Sequence, residues 1–88
     1  MRQFSTSRVF NRMFSKLSRS LRERFIERVQ LFVTDSKHPL LNDHTLTGKW
    51  SGHRSINITG DFRAIYRELA TDLFEFVAIG THHELFGK

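Results

Sequence analysis

The stretch HRSINITGDFRAIYRELATDLFEFVAIGT, residues 53–81, contains three runs rich in β-branched and aromatic residues. The runs cover residues 53–59, 62–69 and 73–81, and the short segments TGD and ATD separate them. Runs of this composition joined by such short turns are typical of antiparallel strands. The sequence therefore predicts a three-stranded antiparallel meander, and this meander decides the fold.

Side-chain alternation predicts which face of the meander is buried, because successive residues of a strand point to opposite faces. A three-residue first turn pairs Ile58 with Phe62, and the two-residue turn Thr71-Asp72 sets the register of the last strand. Six apolar residues are then expected to face the core: Ile56, Ile58, Phe62, Ala64, Val77 and Ile79.

The same register predicts a polar cluster on the other, uncovered face. Asn57 lies opposite Arg63, and Arg63 lies opposite Gly80 on the last strand. Two residues further on, His82 is expected on the same face, with Asp61 at its edge. Imidazole, guanidinium and amide groups should therefore meet at one point of the sheet.

The residues before the meander predict a short strand and two helices. Residues 2–6 alternate briefly, and Ser7 is a plausible N-cap. Apolar residues then recur at steps of three and four through residues 10–17 and again through residues 21–32, which indicates two amphipathic helices. The link between them is so short that the helices should run antiparallel.

Local signals place the ends of the second helix. The helix should start at Ser18 or Ser20, and Ser20 with Glu23 is a candidate capping box. The helix should stop near Asp35, because the residue before the chain's one proline, Pro39, avoids helical geometry. The dozen residues that follow are expected to form a loop, which is long enough to suggest a functional role.

Together these elements predict an α+β fold in a single domain, residues 1–88, with the N-terminal strand and helix hairpin packed on one face of the meander. The 88-residue chain is 39% hydrophobic and has nine phenylalanines, which suffices for one core. It has no cysteine, so disulfides and thiolate metal sites are excluded. No apolar run is long enough to span a bilayer, so we expect a cytoplasmic protein with no membrane partner.

The net charge of +5 is concentrated in the N-terminal part of the chain. Residues 1–34 hold eight Lys/Arg and two acidic residues, whereas residues 35–88 hold six and seven. Such a surface suits a phosphate backbone or an acidic protein. The Arg- and Ser-rich beginning also has the composition of a transit peptide, but its removal would leave the sheet without its helices.

The polar cluster has the groups needed to cleave RNA without a metal. His82 is a candidate general acid, Asp61 a candidate base or orienting group, and Arg63 a clamp for phosphate. Each also has a simpler interpretation: a solvated histidine, a turn-forming aspartate or a solubilising arginine. The five histidines show no helical i, i+4 spacing, so no metal site is predicted.

Three further residues lie near this cluster in the sequence. Lys49 is a candidate phosphate contact, although it is equally consistent with a solvated side chain. Its neighbour Trp50 is expected to anchor the loop to the sheet. Phe86 is predicted either to dock on the body of the domain or to stack on a nucleobase.

The block NDHTLTGKWSGHRSINITGDFRAIYREL (residues 42–69), followed by FVAIGTHHELFG (residues 76–87), resembles the YafQ branch of the RelE superfamily of bacterial toxin endoribonucleases. That branch shows D-H-x-L-x-G-x-W-x-G-x-R, then an acid-aromatic pair with I-Y shortly after, and finally G-T-H-x-x-L-F. The first 40 residues agree with it in layout.

The resemblance implies a RelE-like toxin of a type II toxin-antitoxin system, which enters the ribosomal A site and cuts the bound mRNA without metal. A cognate antitoxin would restrain it, and its basic helices would contact ribosomal RNA. No cofactor is implied. His44, Asp61 and His82 fall on the catalytic positions of the branch, and Phe86 falls on its terminal aromatic residue.

Some residues depart from the branch. Asn57 stands where a further histidine is usual, Ala78 replaces a common arginine, and Phe62 replaces a tryptophan. Arg63 is similar to an arginine of the wider RelE group, and it offers the positive charge that Ala78 lacks. These departures leave two alternatives: a toxin that binds without cleaving, like the ParE relatives that act on gyrase, and an inactive remnant that binds only its antitoxin.

Overall fold

The computed structural model describes residues 2–87, and within them the chain forms three α-helices and five strands. In chain order these are β1 (Gln3–Thr6), α1 (Arg8–Ser15), α2 (Arg19–Thr34), β2 (His44–Thr45), β3 (Arg54–Thr59), β4 (Phe62–Ala70), β5 (Leu73–Thr81) and α3 (His82–Phe86). Two 3-10 turns, Pro39–Leu41 and Gly48–Trp50, flank β2. The predicted α+β class is confirmed. No helix in this part of the chain is both long and apolar enough to cross a membrane.

The strands form one sheet in the order β1-β5-β4-β3-β2. The predicted antiparallel meander is β3, β4 and β5, and β2 extends it antiparallel beside β3. The N-terminal strand β1 joins the other edge of the sheet, where it runs parallel to β5. The long loop predicted after α2 therefore contributes a strand to the sheet and carries two ordered turns.

Serine side chains cap the N-termini of α1 and α2. Ser7 accepts a 3.0 Å hydrogen bond from the amide of Phe10 at the start of α1. Ser18 does the same for α2, at 3.3 Å from the amide of Leu21. Of the two predicted starts, Ser18 is confirmed; the candidate capping box of Ser20 and Glu23 is wrong, because α2 begins at Arg19 and Glu23 instead accepts a 2.9 Å hydrogen bond from that arginine.

The main core lies between the helices and one face of the sheet, as predicted. Aromatic rings fill it: Phe76 of β5 lies 5.3 Å from Phe25 and 5.5 Å from Phe32, both of α2, and 6.1 Å from Phe10 of α1, between ring centroids. All four side chains are at most 2% exposed. Edge-to-face packing of this kind stabilises aromatic pairs beyond the area that they bury.

Three register shifts, each a β-bulge or irregularity, interrupt the predicted pairing: one between β3 and β4 and two between β4 and β5. Asn57 pairs with Arg63 as predicted, but Thr59 rather than Ile58 pairs with Phe62, so Ile58 is an extra residue on β3. Ile58 nevertheless remains buried in the main core.

The second bulge changes which residues of β5 face the helices. Ile65 pairs with Ala78, but Tyr66 pairs with Phe76, so Val77 is an extra residue on β5. The prediction that Val77 lies in the main core is therefore wrong: Phe76 lies there, and Val77 packs at the edge of a second cluster. Ile79 is in the main core as predicted.

That second cluster covers part of the face predicted to be open. Ile65, Ala78 and Leu85 are buried together, with Trp50 packed against them. The indole nitrogen of Trp50 donates a 3.0 Å hydrogen bond to the carbonyl oxygen of Leu85, and thereby ties α3 to the 3-10 turn before β3. Trp50 is an anchor, as predicted, and α3 is held rigidly over the end of the sheet.

Candidate active site

A cleft of about 340 Å³ lies where α3 meets β2 and β4. Its walls bring together four residues predicted from the sequence: His44, Arg63, His82 and Phe86. The remaining lining residues come from the loop and strand around His44: Asn42, Thr45, Leu46 and Thr47. The cleft therefore brings His82 and Arg63 of the expected polar cluster together with His44 and Phe86, whereas Asn57 and Asp61 do not line it.

His82 enters the cleft from the first position of a helix rather than from a strand end. Thr81 caps α3 by accepting a 3.1 Å hydrogen bond from the amide of Glu84, and Glu84 Oε1 accepts a 2.8 Å hydrogen bond from the amide of Thr81. The amide of His82 donates to the carbonyl oxygen of Asp61 at 3.0 Å. Such reciprocal capping fixes the direction in which the helix starts. It therefore also fixes the backbone position of His82.

Phe86 lies one turn further along α3 and packs against the second cluster, half-buried. Its ring centroid is 4.8 Å from that of His82, with the two ring planes tilted by 53°. The two side chains therefore form one aromatic wall of the cleft, and this wall is suited to stacking against a base.

His44 also lines the cleft, and both of its ring nitrogens have partners. Nδ1 lies 2.8 Å from the carbonyl oxygen of Asn42, and Nε2 lies 3.3 Å from the hydroxyl of Ser55. Asn42 adopts a left-handed conformation with φ of 45°, which asparagine tolerates better than most residues. Ser55 pairs directly with His44 across β2 and β3, so the two side chains share one face.

A clamp beside His44 attaches this loop to the sheet. The two carboxylate oxygens of Asp43 accept a 2.8 Å hydrogen bond from Arg54 Nε and a 2.6 Å hydrogen bond from the Tyr66 hydroxyl. Burial, and then the hydrogen bond to Asp43, raises the pKa of the Tyr66 phenol above its ordinary value. The hydrogen bond to Asp43 also raises the pKa of Arg54. We refer to Asp43, Arg54 and Tyr66 as the Asp43 clamp.

Arg63 of β4 supplies the positive charge of the cleft. Its Nη1 donates to the carbonyl oxygens of Gly60 at 3.1 Å and Phe62 at 3.3 Å, both in or beside the turn that precedes it. These bonds fold the side chain back toward the turn. A guanidinium carries five donors, so the same group has the capacity to bind phosphate oxygens.

Three other predicted site residues do not line the cleft. Asp61 contributes its backbone carbonyl to His82, while its side chain is exposed in the turn. Asn57 is half-buried opposite Arg63, and its Oδ1 atom is buried without a hydrogen-bond partner. Lys49 is exposed in a neighbouring groove that shares Phe86 with the cleft, and its amine lies 5.7 Å from the centroid of Trp50.

The model of a family described as "Bacterial toxin of type II toxin-antitoxin system, YafQ" matches residues 2–87. The chain belongs to the YafQ family. No curated protein sequence gives a significant match.

Solved structures of bacterial toxins share the fold. The crystal structure of YafQ from E. coli BL21(DE3) has 23% sequence identity and a TM-score of 0.79, covering 99% of this chain and 100% of that one. A crystal structure of the E. coli DinJ-YafQ complex has 24% identity and a TM-score of 0.76, with the same coverage. A metal-bound toxin from Helicobacter pylori has 22% identity and a TM-score of 0.74, covering 98% of this chain and 100% of that one.

The structure shows the surroundings of Ala78 and Asn57, two residues that depart from the YafQ pattern. Ala78 is 4% exposed and packs in the second cluster with Ile65 and Leu85, beneath α3. Ala78 brings no charge to this end of the sheet, and Arg63 is the arginine that lines the cleft. Asn57 occupies its expected place in the sheet, next to the cleft and without contact to it.

Sequence reasoning missed Ser55 and the Asp43 clamp. Ser55 reads as an ordinary strand serine, although it is 0% exposed. Asp43, Arg54 and Tyr66 all lie inside the block of residues 42–69 that resembles the YafQ branch. Nothing in their spacing shows that these three side chains bind one another. Among residues 2–87, no group of three or more His, Asp or Glu side chains is arranged to hold a metal ion.

Proposed function

We propose that this YafQ-family toxin is a ribosome-dependent mRNA endoribonuclease that works in the cytoplasm by metal-independent acid-base chemistry, within a single domain spanning residues 1–88. The observation that carries the proposal is the cleft itself, which His44, Arg63, His82 and Phe86 line together. Two imidazoles and one guanidinium are sufficient to catalyse RNA cleavage by transesterification, in which the 2′-hydroxyl attacks the neighbouring phosphodiester.

Each group has a role in the proposed reaction. His44 takes the proton of the 2′-hydroxyl, the 2′-oxygen attacks phosphorus, and His82 gives a proton to the departing 5′-oxygen. The products are a 2′,3′-cyclic phosphate and a free 5′-hydroxyl. A positioned acid or base typically contributes about 10²–10⁴-fold in rate. Arg63 stabilises the charge that develops on the phosphorane.

The other predicted residues are proposed to support this chemistry. Asp61 orients His82 through the 3.0 Å bond from the His82 amide to the Asp61 carbonyl. Phe86 stacks on a nucleobase, and Lys49, in the adjoining groove, contacts a phosphate further along the strand. Asn57 supports Arg63, its partner across the strands.

The test is to add the purified protein to ribosomes translating a defined mRNA and to map the new RNA ends. We expect cleavage in the A-site codon, in the presence of EDTA at a concentration that leaves ribosomes intact, and its loss in His82→Ala. The matched control is His83→Ala, because His83 is the next residue of the same helix, is exposed and does not line the cleft. Intact mRNA with wild-type protein, or equal loss in both variants, would refute the proposal.

The same preparation separates the two alternatives. A toxin of the ParE type would leave mRNA intact and inhibit gyrase in a supercoiling assay. An inactive remnant would do neither, and induction of its gene alone would not arrest growth. We expect growth arrest with wild-type protein and none with His82→Ala.

We also propose a cognate antitoxin and ribosomal RNA as alternative partners of the basic helices. The E. coli relative was crystallised in complex with DinJ. In this chain, Arg8 and Arg12 of α1 and Lys16 at its C-cap are exposed and form no ion pair with any residue of the described chain. We expect an acidic antitoxin segment that folds on binding to cover α1 or the adjacent sheet edge. Charge reversal at these three residues should weaken both ribosome binding and antitoxin binding.

A further inference from the structure

A second groove, of about 450 Å³, lies beside the cleft, between the 3-10 turn that carries Trp50 and the end of α3. Six residues line it: Thr47, Lys49, Trp50, Glu84, Phe86 and Gly87. Thr47 and Phe86 also line the cleft, so the two spaces adjoin. An RNA strand that occupies the cleft therefore reaches this groove with a neighbouring nucleotide.

The groove contains a carboxylate that the fold uses only in part. Glu84 Oε1 accepts the 2.8 Å hydrogen bond from the Thr81 amide, whereas Oε2 has no hydrogen-bond partner within residues 2–87. Glu84 also forms no ion pair with any residue of that range. Because a carboxylate repels phosphate, the part of a nucleotide that faces Glu84 must be its base.

The chemistry of a carboxylate decides which base fits. Its oxygens only accept hydrogen bonds, and of their roughly four lone-pair positions the Thr81 amide uses one. Among the four RNA bases, only guanine presents two neighbouring donors on its Watson–Crick edge, N1–H and the N2 amine. Adenine and cytosine place an acceptor nitrogen beside an amine, and uracil places its N–H between two carbonyl oxygens. Guanine is therefore the base that Glu84 binds best.

The other walls suit the rest of a nucleotide of any sequence. Trp50 is half-buried, and its indole N–H is already bonded to the Leu85 carbonyl oxygen, so it offers the groove a ring and no donor. Stacking on such a ring does not depend on the identity of the base. Lys49 is exposed beside Trp50 and offers a positive charge to the phosphate. Discrimination among bases is thus left to Glu84.

We propose that this groove is a guanine subsite and that Glu84 determines its specificity by accepting hydrogen bonds from guanine N1–H and the N2 amine. The ligand is a guanine nucleotide next to the nucleotide that occupies the cleft. The inference rests on the proposed function for RNA as the source of this nucleotide. Binding of guanine itself does not require cleavage, so it is measurable separately.

Trp50 is a reporter inside the groove, because it is the chain's one tryptophan. Titrations of the purified protein with GMP, AMP, CMP and UMP, followed by Trp50 fluorescence, measure the affinity for each base. We expect GMP to bind on the order of tenfold more tightly than UMP, as for one good bidentate pair. IMP lacks only the N2 amine of GMP and should bind about tenfold more weakly than GMP, since a hydrogen bond to a charged group is lost.

Glu84→Gln tests the carboxylate and keeps an acceptor for the Thr81 amide. Its second oxygen is replaced by a donor, and an amide pairs best with adenine, which presents an amine beside an acceptor nitrogen. The preference should therefore move from GMP to AMP. Glu68→Gln is the matched control, because it removes the same charge from an exposed residue outside the groove. Thr81→Ala breaks the cap, leaves the carboxylate intact and should keep the preference for GMP.

The outcomes separate this inference from the proposed function. Equal affinity for the four nucleotides, equal affinity for GMP and IMP, or an unchanged preference in folded Glu84→Gln would overturn the subsite and leave the nuclease in place. If Glu84→Gln fails to fold, the comparison of GMP with IMP on wild-type protein decides. A preference for GMP in protein that cuts no mRNA would overturn the proposed function and leave the guanine subsite in place.

Discussion

The Tyr66 hydroxyl donates a 2.6 Å hydrogen bond to Oδ2 of Asp43, twenty-three positions earlier in the chain. The bond joins the middle of β4 to the loop that ends in His44. Because Arg54 occupies the other oxygen of the same carboxylate at 2.8 Å, the Asp43 clamp holds this loop from the side opposite the cleft. Its strength is therefore measurable apart from any reaction in the cleft.

Tyr66→Phe should lower the free energy of unfolding by about 2 kcal/mol, since a hydrogen bond to a charged group contributes roughly 1.5–3 kcal/mol. The ring remains, so its contacts with Phe32 and Phe74 are preserved. Urea unfolding followed by circular dichroism measures the change. A variant as stable as wild-type protein would show that the clamp contributes nothing to folding.

The raised pKa of Tyr66 predicts a loss of stability in alkali. A tyrosine in the unfolded chain ionises near pH 10, while the folded protein keeps this phenol protonated to higher pH. Its contribution is therefore complete below about pH 10 and is lost as the pH rises toward the folded pKa. Urea midpoints should fall more steeply above pH 10 in wild-type protein than in Tyr66→Phe.

Tyr66 is the chain's one tyrosine, so phenolate absorbance reports its ionisation directly. We expect phenolate to appear together with unfolding. Its appearance near pH 10 in protein that is still folded would contradict the raised pKa.

Loss of either hydrogen bond of the α3 capping box should destabilise the protein. Thr81→Ala removes the acceptor for the Glu84 amide and should cost about 1 kcal/mol. Gly80→Ala should have a similar effect, because its new Cβ would lie 2.9 Å from Glu84 Oε1 and push that side chain off the Thr81 amide. The double variant should lose less than the two single losses together.

Thr47→Ala is the matched control for these variants, since Thr47 precedes a 3-10 turn but makes no side-chain cap hydrogen bond. Its unfolding free energy should stay within about 0.5 kcal/mol of wild-type protein. Urea unfolding serves for all four proteins. Additive losses in the Gly80/Thr81 double variant would mean that the two substitutions act through different contacts.

Asn57→Val should stabilise the protein by about 1 kcal/mol, because it removes a buried carbonyl oxygen that has no hydrogen-bond partner. Valine also suits the middle of a strand better than asparagine. If Asn57 supports Arg63 as proposed, cleavage of mRNA should fall in the same variant. Asn11→Ala, on the exposed face of α1, is the control for stability. A less stable Asn57→Val protein would show that Oδ1 is satisfied in solution.

Periodicity and turn residues were enough to predict the meander and its two packed helices, whereas β2 lies in a segment that was predicted to be a loop. The pairing of Asn57 with Arg63 follows from counting across a turn of known length, and it is confirmed. Counting fails at a bulge, because an extra residue leaves no mark in the pattern of apolar residues. Both Val77 and Phe76 are apolar, so packing against Phe25 and Phe32, rather than local sequence, decides which of them enters the main core.

The cleft was predictable in part for a similar reason. Arg63 and His82 follow from strand register, whereas the position of His44 depends on a loop whose conformation is set by contacts distant in sequence. The Asp43 clamp joins residues on three separate segments, and no local sequence pattern predicts that their side chains meet. The capping box of Thr81 and Glu84 was visible in the sequence as a threonine followed by glutamate three residues later, but the strand signal before it obscured the short helix.

The parallel pairing of β1 with β5 has a consequence for biosynthesis. Ser7, the residue after β1, is bonded to β5 twice. Its amide donates to the Phe76 carbonyl oxygen, and its hydroxyl donates to the carbonyl oxygen of Val77, 70 positions later in the chain. A nascent chain therefore cannot close its sheet until β5 has emerged from the exit tunnel, and α3 follows β5 directly. Truncated translation products should accordingly be harmless, and a folding step dominated by such distant contacts should be slow.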